Sequence, residues 1–222
     1  MAQVKQHFIV LGLGTFGGTL ARKLSENGCR VTGVDLKKEL VEELKDVLYE
    51  AVIADATERA SLEQLSISKA DAVFISLGGT IIPSLLAALH AKELKARRMI
   101  VKGLNQEHAR LLEHLGVERV IFPEIEVASE LARRMTQPNV LDFLPIDPDY
   151  SLVEIAVPDS WSGHTLSDVA LRSKFDVWVV GVKDVLSGKL KLIPDGRFRL
   201  TDSQMLLVIG RKKDIDRLCD VE

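Results

Sequence analysis

Cysteine is nearly missing from this 222-residue chain, where Cys29 and Cys219 are the only two. Two thiols so far apart support neither a disulfide framework nor a metal knuckle, and they suit a reducing compartment. A basic excess is missing too. The formal net charge is −3, so no positive field exists to gather nucleic acid or an anionic lipid surface. An unbroken hydrophobic run of membrane length is also absent, although one stretch imitates it. Residues 72–91, AVFISLGGTIIPSLLAALHA, carry no formal charge over twenty positions, about the length that spans a bilayer. Gly78, Gly79 and Thr80 interrupt it, Pro83 stands where a new helix would begin, and Asp71 and Lys92 close its ends. A buried strand, a tight loop and a buried helix are expected there. The polar start, residues 1–6, and the glycines that cut the run behind it give no signal peptide to expect.

Catalytic equipment is equally thin. Of the five histidines, His7 opens an apolar run and His90 lies in an apolar helical pattern. His108 and His114 are six apart and so fall on different faces of one helix, and His164 follows Gly163. No pair has metal-ligand spacing and no Ser/His/Asp or Cys/His grouping stands out, so each reads as a surface or core histidine. A dehydrogenase would need a proton-transfer group and a substrate domain set against a nicotinamide.

What is present is an ordinary globular mixture, 46% apolar and 27% charged, sufficient for a sizeable core. Apolar runs at residues 7–11, 30–35, 51–54, 72–77, 99–103 and 119–122 mostly lack polar alternation, as strands covered on both faces do. Amphipathic helical patterns at 19–27, 38–47, 83–94 and 106–115 separate them. Strand and helix in repeated alternation predict an α/β fold, a Rossmann-like doubly wound parallel sheet over residues 1–123. A further amphipathic helix over 124–135 carries Ala128, Leu131, Ala132 and Met135 on one stripe. It leads into a cluster of Pro138, Pro145 and Pro148, which forbids continued helix. Residues 124–149 therefore read as a crossover helix and hinge linker. Strands at 152–157, 178–182, 190–193 and 205–209, with helices at 165–174 and 212–219, predict a smaller C-terminal α+β lobe over 150–222.

The first apolar run goes straight into FIVLGLGTFGGTL, in which Gly12, Gly14 and Gly17 form G-x-G-x-x-G between a strand and a helix. The first glycine permits the tight turn, the second lets backbone approach a pyrophosphate, and the third lets helix pack on strand. The helix start then offers N–H groups and a positive dipole end to phosphate. Asp35 closes the second strand eighteen residues past Gly17, where a carboxylate can accept ribose hydroxyls and disfavours a 2′-phosphate. An adenine nucleotide is expected there, as a reactant or as a regulator.

The segments IVLGLGTFG, VTGVDLKKELVEEL, AVIADATE, AVFISLG and MIVKGLNQEHARLLEHLGVERVIFPE, with the helix that follows, resemble an RCK (KTN, TrkA-N) domain. Residues 150–222 resemble its TrkA-C lobe. Length and order fit the KtrA-type regulatory subunits of Ktr potassium uptake systems. The resemblance implies a non-enzymatic gating subunit in which ATP, ADP or NAD(H) is read out as conformation and not consumed. It places Gly12, Gly14, Thr15, Phe16 and Gly17 near the phosphates, Asp35 on the ribose, Asp55, Ala56 and Thr57 near the base, Gly78 beside the ligand and Lys102 toward phosphate. Glu124 becomes a candidate for a divalent cation, Mg2+ or Ca2+, next to the phosphates. Asp55 and Thr57 also fit a helix cap, Lys102 a solvated lysine, and Glu124 a first-turn acid. ATP or ADP is the first expectation, with NAD(H) or AMP as alternatives; Thr15 stands where the family typically carries an arginine, and a neutral hydroxyl in place of a charged fork weakens discrimination of ATP from ADP and raises ADP, AMP or NAD(H). In the second lobe, Thr165, Leu166, Asp168, Arg172 and Pro194 match a cyclic di-AMP site, while Thr165 and Asp168 equally fit a capping box. As partners the resemblance implies a second copy paired through the 124–135 helix, a homo-octameric ring, and a membrane-embedded KtrB-like transporter subunit. The chain would then be cytoplasmic and peripheral to the membrane, with no insertion of its own and no nucleic acid. A small NAD-dependent oxidoreductase and a stand-alone NADH-sensing module are the alternatives.

Overall fold

The computed structural model describes residues 5–136, 140–147 and 149–219; Pro138, Pro148 and the last three positions of the expected C-terminal lobe lie outside them. The chain divides into two compact units between Glu126 and Val127.

In the first unit the continuous apolar runs form a six-stranded parallel sheet. Its elements are β1 (His7–Leu11), α1 (Thr15–Glu26), β2 (Arg30–Asp35), α2 (Lys38–Glu42), β3 (Glu50–Ile53), α3 (Arg59–Glu63), β4 (Ala72–Ile75), α4 (Ile81–Glu93), β5 (Met99–Lys102), α5 (Gln106–His114), β6 (Arg119–Ile121) and the start of α6 (Pro123–Thr136). The strand order is β3-β2-β1-β4-β5-β6. β1 lies between β2 and β4, pairing Ile9 with Thr32 on one side and with Val73 on the other. Strands with two covered faces need two cores. Ile9, Leu11, Val73, Ile75, Leu62 and Leu112 fill one, while Val10, Val31, Val41 and Leu44 fill the other. From β1 the chain winds first toward β2 and β3 and then returns to β4 on the opposite side, so the order reverses between β1 and β4. In open α/β sheets a crevice opens at that switch point, beyond the carboxyl ends of the strands.

The second unit is antiparallel. It contains β7 (Val140–Pro145), β8 (Tyr150–Ala156), α7 (Leu166–Val169), α8 (Leu171–Phe175), β9 (Trp178–Asp184), β10 (Leu190–Leu192), β11 (Gln204–Arg211) and α9 (Lys212–Cys219), with sheet order β10-β9-β11-β8-β7. β8 alternates buried and half-buried residues, the pattern of a sheet covered on one face. Val153, Ile155, Leu206, Val208, Trp161, Leu200 and Ile215 make its core.

Several boundaries differ from expectation. α1 starts at Thr15 rather than four residues later, because tertiary packing holds Gly17 and Gly18 in the helix against their weak propensity. The helix expected over 38–47 stops at Glu42, and the helix that a cap at Asp55 or Thr57 implies is the short α3. Residues 140–145, expected as linker, form β7 on the edge of the second sheet, where Pro145 is tolerated. The helix expected over 165–174 breaks at Ala170, whose φ of +56° is left-handed. The apolar stripe of α6 is not buried in the chain, since Leu131 is 59% and Met135 76% exposed.

Candidate functional site

A cleft of about 530 Å³ opens at the switch point of the first sheet, within the size range of small-molecule sites. Its walls come from the carboxyl ends of four strands. Gly12 and Gly14 follow β1, Asp35 to Lys37 follow β2, Ala54 to Thr57 follow β3, and Ser76 to Gly78 follow β4, with Pro83 at the start of α4.

The three fingerprint glycines do different work. Gly12 holds a left-handed φ of +94°, and a Cβ there would stand 2.4 Å from the Ser76 carbonyl oxygen. A Cβ on Gly17 would stand 1.9 Å from the Gly12 carbonyl oxygen, so this glycine lets α1 seat on the loop. Around Gly14 nothing lies within 4 Å of such a Cβ. Gly14 is also the N-cap of α1, with no side chain capping the helix and no acid in its first turn. A twelve-residue helix therefore presents an uncapped positive dipole end beside open space.

Asp35 carries more structure than a strand-end carboxylate is expected to. One oxygen accepts the Leu13 N–H at 2.7 Å and the other accepts the Lys37 N–H at 2.8 Å. The carboxylate thus ties the glycine loop to the β2–α2 turn while facing the cleft, and each oxygen keeps a second lone pair for a ligand. Asp55 accepts both the N–H and the hydroxyl of Thr57, at 2.8 and 2.7 Å. Those two donors hold its carboxyl below the usual range. The bonds form a local turn; the N-cap position of α3 belongs to Glu58.

Of the expected nucleotide residues, Gly12, Gly14, Asp35, Asp55, Ala56, Thr57 and Gly78 line the cleft. Thr15, Phe16, Gly17 and Lys102 do not. Thr15 opens α1 as an exposed residue. Lys102 forms an ion pair with Glu124 instead, and that lysine holds the Glu124 carboxyl below its usual range. No group of three His, Cys, Asp or Glu able to hold a metal occurs among the described residues. A single carboxylate engaged by lysine is a poor fit for a divalent cation, and no step is assigned to one. Leu36, Lys37, Leu40, Leu77 and Pro83 line the cleft without having been anticipated. Their only signal in the sequence is adjacency to strand ends.

A buried Ser84–His108 pair has the residue types of a nucleophile and its base, but its polarity is reversed. His108 Nδ1 accepts the Leu104 N–H, so its proton sits on Nε2 and donates to Ser84 Oγ at 3.0 Å, while the Ser84 hydroxyl donates to the Ile81 carbonyl. Both residues are buried, 0% and 1% exposed, and burial pushes the imidazole pKa down. The pair links α4 to α5 and activates nothing.

A second cleft, about 1020 Å³ and open, lies within the second unit. Leu166, Arg172 and Pro194 line it as expected, but Thr165 and Asp168 do not. Those two form a complete capping box for α7. The Asp168 N–H donates to Thr165 Oγ1 at 3.2 Å, and the Thr165 N–H and hydroxyl donate to the Asp168 carboxylate at 2.9 and 2.6 Å.

A TrkA-N domain model matches residues 8–123 and a TrkA-C domain model matches residues 152–221. The chain belongs to the TrkA-N/TrkA-C family. It is 34% identical over 215 residues to the Ktr system potassium uptake protein C of Bacillus subtilis, covering 96% of each chain. To the Ktr system potassium uptake protein A of the same bacterium it is 32% identical over 218 residues, covering 98% of this chain and 97% of that one. The solved GsuK channel bound to NAD shares the fold with a TM-score of 0.60 over 96% of this chain, at 18% identity; the chain spans only 39% of that channel chain. These full-length kinships are to potassium uptake proteins, and neither carries the oxidoreductase alternative. No helix among the described residues of this TrkA-N/TrkA-C chain is long and apolar enough to cross a membrane.

Proposed function

We propose that the chain is a nucleotide-binding, non-catalytic regulatory subunit of a membrane-embedded potassium transporter of the KtrB kind. The observation that carries this reading is the backbone-built cleft, with an open Gly14 at the uncapped start of α1, in a chain akin to Ktr uptake proteins over nearly its whole length. Glycine backbone and a helix dipole can hold a nucleotide but transfer neither proton nor hydride. The ligand's effect is therefore conformational, by binding two shapes of an assembly unequally.

The nucleotide is adenine-based, with ADP, AMP or NAD(H) favoured over ATP. Lys37, at the ribose end, is the one cation lining the cleft among the described residues, and the phosphate end has only the α1 dipole and the neutral Thr15. A cyclic dinucleotide such as cyclic di-AMP occupies the second cleft. Exposed apolar surface supports self-assembly into a ring, the octamer of the expectation. Ile82, Leu86 and Leu111 stand 62%, 38% and 47% exposed around a groove of about 370 Å³ between α4 and α5. Val127, Leu131 and Met135 stand exposed on α6. Contiguous apolar surface of this kind marks protein contacts. Cytoplasmic placement follows from attachment to the inner face of such a transporter.

Reconstitution tests the reading. Light scattering of the purified chain should give an oligomer whose shape or size shifts with ADP or NADH, and Leu86→Asp should reduce it to smaller species. Potassium flux through a co-reconstituted KtrB-like subunit should change with nucleotide. A chain that stays monomeric at micromolar concentration, or flux indifferent to every adenine nucleotide, would overturn it.

A further inference from the structure

The first turns of α4 face three ways. Pro83 lines the nucleotide cleft, Ser84 is fully buried, and Ile82, Leu85 and Leu86 line the apolar groove opposite Leu111 and Leu115 of the α5 segment. Successive helical residues stand about 100° apart, so one short stretch of helix serves all three neighbours. The groove has no other walls than these two helical segments, so its width is set by where α4 lies against α5.

Two features let α4 shift as a body. It is joined to β4 through Gly78 and Gly79; Gly79 holds a left-handed φ of +92°, and nothing lies within 4 Å of a Cβ built on either glycine. Such a link can absorb the rotation of a hinge. The buried face of α4 is Ser84, Ala87, Ala88 and Ala91, short side chains that interdigitate little and so oppose sliding weakly.

What pins the helix is polar. The His108 Nε2–H donates to Ser84 Oγ at 3.0 Å, and the Leu104 N–H, donating to Nδ1 at 3.2 Å, fixes that ring orientation. Ser84 and His108 are 0% and 1% exposed. Water cannot replace a bond buried this deeply, so parting the two helices there would strand a donor and an acceptor.

We propose that the buried Ser84–His108 bond couples the nucleotide cleft to self-association, by making α4 and α5 respond as one when a nucleotide meets Pro83. Filling the cleft then reshapes the groove and changes how copies of the chain associate. Neither residue lines the cleft or the groove, so both are positioning residues. The inference rests on the reading of the cleft as a nucleotide site and of the groove as a contact between copies.

Sedimentation of the full chain with and without ADP tests it. In the wild type ADP should shift the self-association constant by about five- to 150-fold, the ordinary range of coupling between sites, and self-association should reciprocally shift ADP affinity. Ser84→Ala should bring the ADP shift within about twofold of none, while dilute protein keeps its ADP affinity within about twofold. A residue that merely supports the fold would not split coupling from affinity in this way. Ser84→Ala leaves the His108 Nε2–H without an acceptor, so the double variant Ser84→Ala, His108→Leu repeats the measurement with no orphaned group between the helices. A spectroscopic readout keeps the bond intact: in Leu86→Asp, whose charged groove should prevent association, the His108 ring nitrogens should shift in nitrogen-15 NMR on saturation with ADP. An ADP shift retained in both Ser84 variants, or His108 nitrogens unmoved by saturating ADP, would overturn the coupling role and leave the cleft and groove readings standing. Association that Leu86→Asp leaves intact would overturn the groove reading, and the coupling with it.

Discussion

The two clefts of this protein are built from opposite materials. The first is made of backbone, with glycines, a helix start and strand ends at the switch point of a parallel sheet, and its main carboxylate is already tied to two backbone N–H groups. The second is made of side chains around a kinked pair of short helices beside an antiparallel sheet, and its one carboxylate is that of Asp176. A backbone-built site binds groups common to many nucleotides, above all phosphate and ribose. A side-chain-built site can tell one base edge from another, and it can change its ligand by substitution without disturbing the fold. The same contrast predicts that mutations in the first cleft mix stability with affinity, whereas mutations in the second separate them.

The sharpest break should come from the two glycines. Gly17→Ala forces a Cβ into the Gly12 carbonyl and should destabilise the first unit by about 3 kcal/mol or more, as overpacking at a rigid backbone does. Urea unfolding would measure it. Gly14→Ala meets open space, so stability should change by less than about 0.5 kcal/mol while nucleotide affinity falls. Equal effects of the two substitutions would end the distinction between a packing glycine and a ligand glycine.

Asp35→Ala comes next. Two backbone N–H groups lose a charged acceptor, for a cost of about 1.5–3 kcal/mol, and adenine-nucleotide binding should weaken by about ten- to a hundredfold. Melting and calorimetry of the same variant report the two effects side by side. A loss of affinity with unchanged melting would mean that the loop needs no tie from Asp35.

Acid should act through His108. Its folded-state pKa lies below the ordinary value because burial disfavours the charged ring. The unfolded chain therefore takes up a proton before the folded one does, and stability falls as pH drops below about 6.5, by at most about 1.4 kcal/mol per unit for one group. Above that pH the group contributes no slope. His7, held down by burial and by Arg30, adds to the same trend. His108→Gln should flatten part of the slope in unfolding titrations run between pH 5 and pH 8; an unchanged slope would exclude the buried imidazole as its source.

Lys102→Met should do least to stability. Its pair with Glu124 is solvent-facing on the glutamate side, and such pairs contribute roughly 0–1 kcal/mol. Affinity is the informative readout. A loss greater than about tenfold, which is 1.4 kcal/mol, would bring Lys102 back to the phosphates, and no loss would leave it as Glu124's partner.

The alternation of apolar runs and helical stripes determined the parallel sheet and its sequence of strands, because covered strands and amphipathic helices each carry a period that needs no tertiary information. Glycine spacing with Asp35 determined where a nucleotide cleft would open, since the tight turn and the close helix seat leave few residue choices at Gly12 and Gly17. Only the tertiary structure decided the rest. Asp35 was found tied to Leu13, Lys102 to Glu124 and Ser84 to His108, because partners 20 or more positions apart leave no local pattern. β7 was hidden by the surrounding proline cluster and by its own Pro145, which is admissible on a sheet edge that sequence cannot show to be an edge. The left-handed turns at Ala170 and Asp176, occupied by residues other than glycine, gave no signal either. They split one expected helix and set Arg172, Asp176 and Trp178 around a single wall.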